Sequence, residues 1–276
     1  MKATVLKISI LAFVLFFSTG MNAQEFQGKA YYFSKSTMDL GNWGARFSEA
    51  QKKQIMARLK NRLEKTYVLT FNKEESLFKQ EEKLDVDAMS GATNSWGKNF
   101  SQGNQYKNVK NNQQIQKQEF YGKQFLVKDN LQPIEWNLGT ETKQIGNYMC
   151  FKATATVPTT DLTWYDFSWD RLRNTNQDQS DSSEEIEVDM TEIEAWYTPQ
   201  IPVRHGPSEY WGLPGLIIEV SAGNTTMLCT KIVMNADENE KIEAPQRGKE
   251  ITKKEYQTTI TNKMKEFRDN RVRRRG

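Results

Sequence analysis

The sequence is nearly without histidine: its 276 residues hold one, His205. A Ser-His-Asp or Cys-His engine would have to use that residue. It sits in "PVRHGP", a proline-flanked stretch with no G-x-S-x-G signature, so it reads as a packed loop residue and no catalytic residue is assigned. One histidine and two distant cysteines do not make a tetrahedral zinc set, and no metal is expected. There is no C-x-x-C pair, which excludes the commonest redox motif. P-loop and dinucleotide fingerprints are missing too, so no cofactor is expected. Charge of one sign is scarce: 38 Lys and Arg stand against 35 Asp and Glu, and nucleic acid is not an implied partner. Beyond the first twenty residues no apolar run approaches the roughly 20 residues of a membrane-spanning helix, so no transmembrane span is expected after leader cleavage.

The first residues carry an address. Lys2 and Lys7 form a basic start, and "ISILAFVLFF" from Ile8 to Phe17 is almost wholly apolar. Ser18, Thr19, Gly20 and then "MNAQ" follow, with small residues at a cut after Ala23. That is a signal peptide over 1–23, and it predicts an exported protein, periplasmic or associated with the outer membrane or extracellular space. Residues 24–276 then form one domain. Cys150 and Cys229 both lie in the exported part, each in a strand-like run. An oxidising compartment permits one bridge between them. Two buried free thiols behaving as small hydrophobes are the alternative.

Periodicity points to a mainly β (α+β) fold. Ser48, with Gln51 three residues on, predicts a capping box, and Ile55, Leu59 and Leu63 make one stripe of a helix. "TYVLTFN" and "ESLFKQEEK" predict a strand pair turning at Asn72 to Glu74. Residues 85–112 are rich in Asn, Gly, Ser and Gln and predict a long loop. A meander follows, with hairpins at Tyr121-Gly122 and at Ala222 to Asn224. It is interrupted by an insert at 159–189. A last helix from Lys253 puts Tyr256, Ile260, Met264 and Phe267 on one face. Oxygen ligands for calcium exist in the acidic run from Asp178 to Glu194, but "DQSDSSEE" lacks the glycine and spacing of an EF-hand loop.

The most informative stretch is "EYWGLPGLIIEV", Glu209 to Val220. "LIIEV" is short, apolar and rich in β-branched residues, which predicts a core strand. Gly212 and Gly215 lack a Cβ, Pro214 lacks an N–H, and Leu213 can tuck inward, so the stretch predicts a buried corner feeding that strand. "GLPGLI" at Gly212 to Ile217 resembles the hexapeptide of the GLPGLI family, exported proteins of Gram-negative Bacteroidota. "AWYTPQIPVRHGP" at Ala195 to Pro207 and "IEWNLGTETKQIGNYMCFKA" at Ile134 to Ala153 are similar to its flanking blocks. The resemblance runs from about Glu119 to Met234. It implies a single curved antiparallel sheet, bowl-like or half-barrel, and brings no established activity.

These observations predict a non-enzymatic envelope protein that binds a hydrophobic small molecule or an envelope protein in the concavity of its sheet. The candidate contacts are Trp164, Phe167, Trp169 and Trp211. Two rivals are a hydrolase using paired carboxylates and a scaffold docking on an outer-membrane complex; a buried Asp–Glu pair in a cleft would mark the first, a flat apolar patch the second.

Overall fold

A computed structural model of the chain describes residues 26–37, 46–81, 103–163, 189–235 and 241–273. The elements, in order, are β1 (Gly28–Ser36), α1 (Glu49–Leu63), β2 (Glu64–Phe71), β3 (Glu75–Gln80), β4 (Gln105–Asn108), β5 (Gln113–Phe120), β6 (Lys123–Asn130), β7 (Asn137–Ile145), β8 (Tyr148–Pro158), α2 (Thr159–Leu162), β9 (Met190–Thr198), β10 (Leu216–Ala222), β11 (Thr225–Met234), β12 (Lys249–Ile251) and α3 (Lys253–Arg273). The strands form one open 12-stranded sheet, in the order β12-β6-β5-β4-β3-β2-β1-β11-β10-β9-β8-β7. Every pairing is antiparallel except β12 with β6, so the expected antiparallel sheet is a mixed one at a single edge.

Strand alternation sets the faces. In β1 the buried positions are Gly28, Ala30, Tyr32 and Ser34, every second residue. Ala30 lies opposite Leu69, and Leu69 opposite Phe78. That inner face carries the main core, from Tyr32 and Phe78 across to Ile193, Ala195 and Val220. The outer face has a smaller core of Tyr106, Ile115 and Leu126, against which Ile242 and Ala244 pack.

The sheet is strongly curled, and its own helices show it. Helix α3 docks on β6 through Tyr256, Ile260 and Met264, packed with Phe120, Phe125 and Val127. From the same helix Lys253 Nζ donates to Asp161 O at 2.5 Å, and Gln257 Nε2 donates to Thr160 O at 3.2 Å and Thr163 O at 3.1 Å. Those acceptors belong to α2 and the residue after it, at the end of β8. In the sheet β6 and β8 are nine positions apart, about 43 Å if flat at the usual strand spacing. One helix can touch both only because the sheet wraps round to meet it.

Both expected helices form. Ser48 caps α1, with Gln51 N donating to Ser48 Oγ and Ser48 N donating to Gln51 Oε1. Ile55, Leu59 and Leu63 are half-buried, and α1 packs on β1 and β2 at the middle of the sheet. Of the α3 stripe, Tyr256, Ile260 and Met264 are buried, while Phe267 stays exposed and leans on Tyr121 with ring centroids 4.9 Å apart. Both hairpins form where expected, with Tyr121, Gly122 and Gly223 at positive φ.

One expectation is corrected. Residues 105–108, within the stretch expected to be a loop, are the strand β4, and all four are buried. Its inner-face residues are Gln105 and Lys107, so no hydrophobic alternation announces it. Residues 85–102 of that stretch lie outside the described residues, as do 164–188 of the later insert.

The glycine-proline stretch folds as the corner it predicts. Gly212 takes φ 100°. Leu213 is buried, and Leu216, Ile217 and Ile218 are essentially sealed from water. Burying three such side chains stabilises by about 2 kcal/mol each before entropy is counted. Three consecutive buried residues are possible because a bulge between Ile217 and Glu219 shifts the register.

Candidate functional site

Inside the curl lies a hollow of about 470 Å³, within the range of small-molecule sites. Its floor is Ser34 and Ser36 of β1, Tyr67 of β2 and Met227 of β11. Leu63 at the end of α1, Leu162 of α2 and Tyr256 at the start of α3 form its walls. Ser208 and Tyr210, from the loop between β9 and β10, close another side.

That loop is held from beneath by an interior cation. Lys107 is fully buried, and its Nζ donates to three backbone carbonyls: Gly206 at 2.9 Å, Ser208 at 2.6 Å and Tyr210 at 3.3 Å. Burial lowers its pKa to about 8, with the Glu209 carboxylate pulling the other way. Glu209 is gripped in turn, accepting from Gln105 Nε2 at 2.7 Å and from Gln114 Nε2 at 2.8 Å. The polar side chains of β4 and β5 thus fix the backbone that presents Ser208 and Tyr210 to the hollow.

His205 lies in the same loop and is completely buried. Neither ring nitrogen has a hydrogen-bond partner of good geometry among the described residues. Burial, and then the charge of Lys107, push its pKa down to about 3, the Asn72 backbone opposing them. The imidazole is therefore neutral at ordinary pH, which suits a packed residue and not a general base poised near neutrality.

The sign of its pH effect follows. A depressed pKa means the unfolded chain binds the proton first, so the stability is full above about 6.5 and lost as pH falls toward 3. The loss is about 1.4 kcal/mol for each pH unit travelled within that window. Melting curves should drop in temperature from pH 6.5 to pH 4 in the wild type, and much less steeply in His205→Leu. Equal slopes would overturn the neutral-imidazole assignment.

Among the expected contacts, Trp211 is half-buried and does not line the hollow. Its Nε1 donates to Gln132 O at 2.8 Å, its carbonyl accepts from Trp136 Nε1 at 2.9 Å, and Arg204 stacks over its ring at 5.8 Å. Trp164, Phe167 and Trp169 lie outside the described residues. Cys150 and Cys229 are buried free thiols in the main core, raised to about 11 and about 12 chiefly by burial. No residue of the hollow was legible from sequence as a site, because its lining residues are spread from Ser34 to Tyr256 and converge only through the curl.

Two further facts bound the chemistry. No Asp or Glu lines the hollow among the described residues, and Lys65 is its one charged group there. No helix among the described residues is long and apolar enough to cross a membrane.

A family model described as a protein of unknown function (Porph_ging) matches residues 136–219, which run from the start of β7 into β10 and include the glycine-proline corner. No curated protein matches the chain. Two solved structures of PNGF-II, one in space group C2 and one in P21, are each 15% identical, with TM-scores of 0.47 and 0.48. They cover 85% of this chain and 32% and 33% of their own, so the chain spans about a third of the length of those proteins.

Proposed function

We propose that this is an exported binding protein of the cell envelope, related to the GLPGLI family, whose hollow holds a small molecule. The observation that carries the reading is the hollow itself: a cavity walled by three helices and a loop pinned by Lys107. A wall held by an interior cation is preorganised, which lowers the ordering cost of binding. The leader of basic, apolar and small residues over 1–23 supports the exported half of the reading.

Native mass spectrometry of the protein purified from its own cells tests both halves. The polypeptide should begin at Gln24, and it should carry added mass that is lost on denaturation. Ala222→Trp, which fills the hollow from β10, should remove that mass. A clean spectrum for both forms, with no ligand recovered, would sink the binding half; a chain starting at Met1 would sink the exported half.

A further inference from the structure

The hollow is built to hydrogen-bond its occupant. Two hydroxyl couples line it: Ser36 Oγ with Thr225 Oγ1 at 2.8 Å, and Thr159 Oγ1 with Thr191 Oγ1 at 2.8 Å. Each couple contains two O–H donors, and only one is spent on the bond between them. The other donor and the spare lone pairs are left for a third group. A second, independent feature is Gln118, which also lines the hollow and is only 3% exposed. Its Nε2 has no hydrogen-bond partner among the described residues, and a buried amide left unpaired keeps its full desolvation penalty. A hydrocarbon would leave that cost in place and would strand the couples as well.

We infer that the ligand is an oligosaccharide, an inference that rests on the binding reading above. Its hydroxyls would bridge to the two couples and to Gln118, and the rings of Tyr67 and Tyr210 would offer apolar faces to its C–H groups. The described lining has one lysine and no carboxylate, which disfavours a ligand carrying positive charge. Size follows from the hollow, whose volume of about 470 Å³ is more than one pyranose ring fills. This replaces the hydrophobic ligand expected from the aromatic residues with one that carries hydroxyls.

The test is titration calorimetry of the full mature chain with two probe sets: neutral oligosaccharides built on gluco-, manno-, galacto- and N-acetylhexosamine units, and palmitate. At least one oligosaccharide should bind, and its parent monosaccharide should bind at least ten-fold more weakly. Gln118→Leu should weaken binding at least ten-fold while melting at or above the wild-type temperature, because it removes the unpaired amide. The double variant Ser36→Ala, Thr225→Val checks the same claim on different lining residues and should also lose at least ten-fold. Unchanged oligosaccharide affinity in both variants would overturn the site. Binding of palmitate alone, abolished by Ala222→Trp, would overturn the saccharide class and leave the binding protein standing. No heat with any probe, together with a clean native mass spectrum, would bring down both.

Discussion

Gly215→Ala should cost at least about 4 kcal/mol of unfolding free energy, whereas Gly212→Ala in the same hexapeptide should cost about 2 kcal/mol. The reasons differ. A Cβ on Gly215 would lie 2.2 Å from the carbonyl oxygen of Thr198 and 2.5 Å from its carbon. Those are backbone atoms of β9, whose Thr198 pairs with Leu216. Nothing flexible can move aside, so the alanine must pry the start of β10 from its neighbour and disturb three sealed side chains behind it. Gly212 has φ 100°, which disfavours any L side chain, but its Cβ would meet nothing nearer than 3.6 Å. Urea unfolding of both variants reads the ranking directly. Equal costs, or a larger cost at Gly212, would show that turn geometry and not close packing is what the motif secures.

Lys107→Met should destabilise by about 3 kcal/mol, and it sets two large terms against each other. Losing the cation relieves the desolvation that holds its pKa near 8, worth about 3 kcal/mol. Three buried carbonyls lose charge-assisted bonds, at about 2 kcal/mol each. The carbonyls win because methionine offers them nothing. The unfolding midpoint in urea should fall with little change in slope. The pH profile gives a second readout. Between about 8 and the ordinary lysine value near 10.4 the unfolded chain holds a proton that the folded chain has shed, so the wild type gains stability from this group across that window. The variant should lack that gain. A variant as stable as the wild type would mean the 206–210 loop holds its shape without its cation.

The sequence revealed what rests on local rules. Capping at Ser48, the hairpin glycines, the α3 stripe and the buried corner at 212–217 each depend on residues within one turn or one strand, and each formed as expected. What stayed hidden depends on partners far along the chain. Strand β4 buries Gln105 and Lys107 because Glu209 and the loop carbonyls wait a hundred residues on to receive them. A window of a dozen residues sees only polar side chains there and reads a loop. The hollow was hidden for the same reason. Small hydroxyl residues such as Ser36, Thr159 and Thr225 carry no signal until the curl turns them toward one space. Trp211 shows the same dependence on distant partners: its ring and carbonyl are engaged by Gln132, Trp136 and Arg204, which no local window links to it.

The central ladder has a consequence for how such a chain comes to be folded. Strand β1, the first element described, lies between β2 and β11, and Ser36 meets its partner Thr225 across 189 residues. The two halves of the sheet therefore join only once the 189 residues between these partners have been made. Closing loops of that length before any contact rewards them makes for slow assembly, with refolding expected in milliseconds to seconds or longer.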